Sequence, residues 1–381
     1  MKDYDPTKLS PGEIFWCDHY KFLKDHGYTL RKRYEPDWIP SWINTSKDWL
    51  DCEDALPLRH HQILDATRTD GSLVVLKRLD INIHQEEIPM INHLSSQTFS
   101  SNPRNHCVPI LEVINPPEGS HIAFIVMPFL LNVDFPSFET IGEAVGFFKS
   151  LRLSSQFYSL VLVVFNLGLQ GLHYMHENHI IHGDCKSNNI MADTACLFDS
   201  PPHPWEKHMK RDLSGRVSKR TSRTLKPVKY YLIDFGLSEI YRPEDVPFLK
   251  QPPWGGDKTV PEHLAPDASP CNPFAVDVYC LGNYLRQSFL DGWDGVHRPP
   301  LQGFEFMREL ITDMVHKDPI ERPTMSEVVA RFDAIVGRFG SRKLRSPVIP
   351  SDKRYGLFEA ATHWSKQLVR MARRIPAIPR I

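Results

Sequence analysis

The chain has 381 residues, enough for one large domain or two modest lobes around a shared core. Hydrophobic residues make up 41% and charged residues 24%, the balance of an ordinary globular protein, and with a formal net charge of -1 nothing points to nucleic acid or to an acidic partner in bulk, so no nucleic-acid partner is expected. The 32 prolines argue for many loops and extended connections and against a plain helical bundle.

Seven scattered cysteines with no CxxC pair give neither zinc spacing nor a disulfide framework. A reducing intracellular compartment, cytoplasmic or nuclear, is therefore expected. The N-terminus is polar and lacks the apolar core of a signal peptide. The most apolar run, Leu160 to Leu169, falls far short of the roughly 20 residues that cross a bilayer, so no transmembrane segment is expected.

Taken in chain order, residues 1–53 form an aromatic- and proline-rich extension, expected to pack on the domain through its tryptophans. Residues 54–130 read as a small, mostly antiparallel β lobe. In it, HQILDATR, the Asp70-Gly71 turn and SLVVLKRL make a hairpin, and two more strands follow at 107–115 and 121–130. One helix is expected near 86–96. From about residue 138 the period becomes helical. Helices are predicted over 141–151, 159–178, 275–291 and 303–316, the second buried nearly all round. Residues 131–340 are therefore a larger, mainly α lobe, and the fold class is α+β.

Two basic stretches interrupt or follow that lobe. From 203 to 229 there are nine Lys/Arg against two acids, so 199–229 is expected to be a mobile surface insertion. It either docks a partner, carries phosphate on Ser218 or Ser222, or is simply solvated. The tail 341–381 carries ten Lys/Arg and two acids. Leu357, Ala361, Trp364, Leu368 and Met371 fall on one helical stripe, and Lys366, Arg370 and Arg373 on another. Two readings stand for the tail: its apolar stripe packs against the larger lobe, or the helix lies on an anionic membrane.

The chemistry is concentrated in two motifs. The first runs His182-Gly183-Asp184-Cys185-Lys186-Ser187-Asn188-Asn189, just after a buried helix. The second is Ile233-Asp234-Phe235-Gly236, after the strand-like Tyr230-Tyr231-Leu232. Phosphoryl transfer needs positioning and charge neutralisation more than covalent chemistry. Asp234 and Asn189 supply hard oxygen donors for Mg²⁺. Asp184 is the candidate to orient the attacking hydroxyl or accept its proton. Lys186 is placed to neutralise charge on the moving phosphoryl group.

These motifs resemble those of the eukaryotic protein kinases, whose HRDxKxxN is here HGDxKxxN and whose DFG is intact. Further segments match in the same order over about 54–336. Val74-Val75-Leu76-Lys77 resembles the third-strand V-A-I-K, and Val260-Pro261-Glu262 stands where A-P-E closes the activation segment. Asp277-Val278-Tyr279-Cys280-Leu281-Gly282 is similar to D-V-W-S-L-G, and Asp318-Pro319 with Arg322-Pro323-Thr324 is similar to the late DPxxRPT. The phrases FWCDHYKFLKDHGYTLRKRYEPDWIPSW and NPRNHCVPILEV further resemble kinase-like proteins of mushroom-forming fungi.

The resemblance implies a bilobal kinase fold using ATP and Mg²⁺ to phosphorylate Ser/Thr hydroxyls of protein substrates. Lys77 would clamp the α/β-phosphates, and Met127 and Phe129 would lie at the gatekeeper and hinge beside the nucleotide. Arg322 would pair with Glu262. Lys186, two after Asp184, points to serine/threonine over tyrosine. Glu86 and Glu87 are both candidates to pair with Lys77, Glu87 being preferred because Ile91 and Leu94 follow at helical spacing.

Two departures matter. No glycine-rich loop precedes Lys77, so Arg59 or His60 would have to help hold the phosphates, and Gly183 replaces the arginine that reads an activation-loop phosphate. Cys185 is expected to be a buried, inert thiol. Thr259 is open between phosphosite and substrate-orienting hydroxyl. A pseudokinase scaffold, or a kinase of small molecules, is the alternative to a protein kinase.

Overall fold

The structure, a computed structural model, describes residues 4–115, 119–148, 167–264, 268–293, 295 and 298–379. It is of the α+β class, with a small antiparallel sheet and many helices. The chain divides into two units. The first comprises Met1–Ile88, Val108–Leu131 and Ala195–Arg220; the second comprises Pro89–Cys107, Asn132–Thr194 and Thr221–Ile381.

In the first unit two N-terminal helices, α1 (Pro11–Asp18) and α2 (Tyr20–Asp25), precede strand β1 (Tyr28–Leu30). The hairpin follows as β2 (Ile63–Arg68) and β3 (Leu73–Asp80). Its turn forms because Gly71 takes φ +82 and the Asp70 carboxylate accepts from the Ser72 amide at 2.8 Å. Strands β4 (Glu112–Ile114) and β5 (Ile122–Pro128) complete a five-stranded sheet of order β1-β2-β3-β5-β4. Alternation sorts the side chains of β3. Val74 and Leu76 join Leu64, Ala66, Phe124 and Val126 in the core, and Lys77 leaves from the opposite face.

Trp16, fully buried, covers the core face with its ring 5.8 Å from that of Phe124. The tryptophan packing expected of 1–53 is thus present, but the segment is more than an extension. It supplies β1, whose residues 28–30 pair antiparallel with 66–68 of β2. Residues 31–62, which join β1 to β2, contain no glycine and are pinned by buried charge. Arg33 donates to Glu13 at 2.7 Å and to the Asp54 carbonyl at 3.0 Å, and Asp54 accepts from Trp38 and Ser41.

The second unit is mainly helical. It contains most of α3 (Glu87–Ser95), then α4 (Gln97–Ser100), α5 (Ile141–Phe148) and α6 (Leu167–Glu177). After these come α7 (Pro273–Leu285), α8 (Arg308–Met314), α9 (Met325–Gly337), α10 (Ser341–Arg345) and α11 (Leu357–Ala372). The helix expected over 159–178 is described only from Leu167; its first part, and residues 149–151 of the one before, lie outside the described residues. The α5 glycines permit close approach by the tail. A Cβ on Gly142 would stand 2.1 Å from the Ala377 carbonyl, and one on Gly146 would stand 2.9 Å from Pro379.

Two expectations need correction. Residues 199–229 are not a solvated surface insertion. Within the first unit, Arg211 donates to Asp65 at 2.8 Å and His203 is fully buried beside Glu53. Within the second unit, Arg223, 1% exposed, donates to the Val133 and Pro136 carbonyls, and Thr224 donates to buried Glu143. Composition suggested solvation, but each of these cations has a specific acceptor waiting in the fold.

The tail stripe does not pack inward either. The face of α11 against the protein is polar: His363 bonds the Arg345 carbonyl at 2.8 Å, Gln367 accepts from Arg345, and Arg370 donates to Glu139 and Ser222. Leu357 and Leu368 remain 92% and 60% exposed.

Candidate catalytic site

Strand Ile180–Ile181 delivers the chain into the loop 182–189. What holds that loop is Asp277, fully buried on α7. Its carboxylate accepts from the backbone amides of His182 at 2.7 Å and Gly183 at 2.8 Å, and meets His176 Nε2 at 3.1 Å. Burial works to raise the Asp277 pKa, but the His176 contact and the His182 amide outweigh it, and the carboxyl lies below the usual range. Gly183 sits at φ +78, where an added Cβ would meet the Leu237 carbonyl at 2.3 Å. Only glycine fits at 183, because the backbone of 237 occupies the space a side chain needs.

Asp184, 8% exposed, is the centre of the cluster. Its Oδ2 accepts from Asn189 Nδ2 at 2.8 Å and lies 2.8 Å from Lys186 Nζ. Its Oδ1 is buried and has no hydrogen-bond partner among the described residues. An orphaned carboxylate oxygen inside a fold is costly and marks a place where an incoming donor belongs. Gly256, at φ +82, faces this oxygen; a Cβ there would come within 3.9 Å of it.

The second motif is stitched to the first. The Ile233 amide donates to the Asn189 carbonyl at 3.0 Å, which brings Asp234 beside Asn189. His182 Nε2 lies 3.2 Å from the Ile233 carbonyl, and its ring centroid is 5.5 Å from that of Phe235. Burial lowers the His182 pKa against the pull of the Asp277, Asp184 and Asp234 carboxylates, so all three lie within electrostatic reach of one imidazole. Asp234 takes φ +67, a backbone conformation that a non-glycine residue holds only when its surroundings impose it.

Among the described residues no group of three or more His, Cys, Asp or Glu side chains is arranged for a metal ion. Asn189 and Asp234, joined through the Ile233 amide, carry side-chain oxygens of the hard kind that Mg²⁺ takes together with waters and substrate phosphates.

Beside Lys186 a cavity of about 310 Å³ opens, lined by Asp257, Thr259, Asn283, Tyr284 and Trp293 among others. The Thr259 hydroxyl donates to Asp257 at 2.7 Å and accepts from Asn283 at 2.9 Å. Glu262 and Arg322 form a two-pronged ion pair at 2.8 and 2.6 Å, with Arg322 stacked 4.8 Å from the Tyr279 ring centroid.

In the first unit Lys77 Nζ is bonded to the Glu87 carboxylate, so of the two adjacent glutamates Glu87 is the partner, and Glu86 is exposed. Met127 lies across from Val75 near the end of β5, and Phe129, 8% exposed, follows it. Arg59 is engaged with Glu206 at 3.0 Å and stands over Trp205, whose ring centroid is 5.8 Å from that of His60.

Cys185 is fully buried and its thiol pKa is pushed well up by that burial, so it is inert. Ser222, 2% exposed and bonded by Arg370, is not accessible to modification, whereas Ser218 is exposed. Sequence reasoning missed the anchoring role of Asp277 and the place of Gly256. The first carried a signal, its position at the head of the DVYCLG segment; the second carried none. Comparison with protein-family models and with curated proteins finds no match to the chain.

Proposed function

We propose that the chain is a protein kinase that transfers the terminal phosphate of Mg·ATP to serine or threonine hydroxyls. The observation that carries this reading is the Asp184 carboxylate, with one oxygen fixed by Asn189 and Lys186 and the other buried and unpartnered. In this reading Asp184 Oδ1 orients the acceptor hydroxyl and takes its proton. The hydroxyl oxygen bonds the terminal phosphorus as the bridging P–O bond breaks, and the nucleoside diphosphate leaves. Lys186 offsets negative charge on the moving group. Asn189 and Asp234 are the residues that would hold magnesium, which supplies charge neutralisation on the phosphates when bound. Lys77, set by Glu87, would hold the inner phosphates, with Met127 and Phe129 beside the base.

One observation favours a second reading, a scaffold that keeps the fold without turnover. The connection 31–62, at the place of a glycine-rich loop, has no glycine to bring backbone amides close to phosphates. Transfer from radiolabelled ATP to generic protein substrates, with Mg²⁺, separates the two. Transfer by the wild-type chain that falls about 10²–10⁴-fold in Asp184→Asn supports the kinase. Signal equal in both chains, or absent from both, overturns it.

A further inference from the structure

The docking of α11 is inverted relative to most surface helices. Its inward face carries His363, Gln367 and Arg370, each tied to the second unit by hydrogen bonds. Its outward face carries Leu357, Phe358, Leu368, Val369 and Met371, at 92%, 84%, 60%, 52% and 44% exposure. At the helical period these side chains spread over one broad arc of a 16-residue rod about 24 Å long. An exposed apolar surface of this extent is the mark of an interaction site.

Charge identifies the occupant. Lys353, Arg354, Lys366, Arg373 and Arg374 are all exposed around the arc or at its ends. The one acid on the helix, Glu359, is turned onto the helix start, where it accepts from the Gly356 amide at 2.9 Å. An apolar strip edged by cations complements a surface that is apolar below and anionic above, the interface of an acidic bilayer. A second copy of the chain fits poorly, because stacking two such faces joins two cation-edged strips whose one helix acid, Glu359, is already engaged at the helix start. No helix among the described residues is long and apolar enough to cross a membrane, so the contact is one of lying on the surface.

We infer that α11 is a membrane-surface element that seats this chain on anionic lipid, its polar face remaining bonded to the protein. The arrangement holds the helix preformed, so binding does not have to order it. This goes beyond the proposed kinase reading and does not depend on it, since lipid binding requires no catalysis.

The test is cosedimentation of the full chain with vesicles of phosphatidylserine and phosphatidylcholine in equal parts, beside vesicles of phosphatidylcholine alone. Binding to the anionic vesicles and not to the neutral ones is expected, weakening as salt is added. Lys366→Gln with Arg373→Gln should weaken binding about fivefold for each charge removed. Leu357→Gln with Phe358→Gln should weaken it at least about tenfold, and both side chains are too exposed for the change to unfold the protein. Three results overturn the inference: no binding to anionic vesicles, equal binding by the Leu357→Gln/Phe358→Gln variant, or a dimer in sedimentation velocity that this variant abolishes.

Discussion

The loop 182–189 of the second unit and the connection 31–62 of the first, to which the proposed reading gives the catalytic and phosphate-holding roles, are built in opposite ways. The loop is short. One buried carboxylate, Asp277, takes up its amides, and Asp184 keeps an oxygen to spare. The connection is long and its polar groups are used up in holding its shape: Arg33 on Glu13 of α1 and on the Asp54 carbonyl, and Asp54 on Trp38 and Ser41. A loop fixed from outside leaves functional groups available, whereas a segment that must hold its own shape consumes them. In the proposed reading the loop 182–189 therefore keeps groups free for chemistry, and the connection 31–62 has none of these buried groups left to hold phosphate.

Removing the outside support should have the largest effect. Asp277→Ala leaves the amides of His182 and Gly183 and the His176 ring without their buried acceptor. Hydrogen bonds to a charged group contribute about 1.5–3 kcal/mol each, so a loss of about 5 kcal/mol or more in urea unfolding is expected. Transfer activity should fall with it. A loss under about 1 kcal/mol would mean that the loop holds itself.

How much of this was legible depends on whether cause and consequence sit close in sequence. Asp184, Lys186 and Asn189 lie within six residues of one another, and the structure joins them directly. The pairing of Lys77 with Glu87 spans one strand end and one helix start, so helical spacing sufficed to prefer Glu87. Strand β1 left no such trace, since three residues become a strand only because β2 accepts them. Residues 199–229 misled because basic composition says nothing of acceptors as distant as Asp65 and Glu143. For α11 the period revealed two stripes but not which faces inward. That choice is made by Glu139, Ser222 and Arg345, which offer the polar stripe hydrogen bonds.

Acid should sharpen the contrast between the two units. In the second, burial pushes the His106 pKa from 6.5 down to about 3, helped by the charge of Lys229. The folded state then stays neutral while the unfolded chain takes up a proton. Stability is complete above pH 6.5 and falls as the pH drops toward 3, by an amount on the order of 3–5 kcal/mol. In the first unit Glu13 and Asp54 are held below the usual carboxylate range, Glu13 by Arg33 and Asp54 by Ser41 and Trp38, in each case against burial. Their contribution is present above their unfolded pKa values and is lost only as the pH falls through the lower folded ones. Hydrogen exchange followed from neutral to acid pH should show the second unit loosening first, and His106→Leu should shrink that early phase, to which buried His182 also contributes. Loosening of both units together would refute the assignment.

The smallest effects test how residues 195–220 are bound to the sheet. Two contacts differ in burial. Arg211 donates to Asp65 at 2.8 Å and to Thr67 at 3.1 Å, and the Asp65 side chain is only 2% exposed. Arg59 meets Glu206 at 3.0 Å with both side chains about half exposed, at 56% and 46%. Arg211→Ala takes one cation from a buried carboxylate. Because Arg31 still lies 3.2 Å from Asp65, the loss should be about 1–3 kcal/mol, less than for a fully abandoned charge. Arg59→Ala breaks a pair that water already screens and should cost between zero and about 1 kcal/mol. Measured side by side in urea, the two variants separate a segment clamped by a buried ion pair from one merely resting on the surface. Equal and negligible losses would return 195–220 to the solvated insertion that its composition suggested.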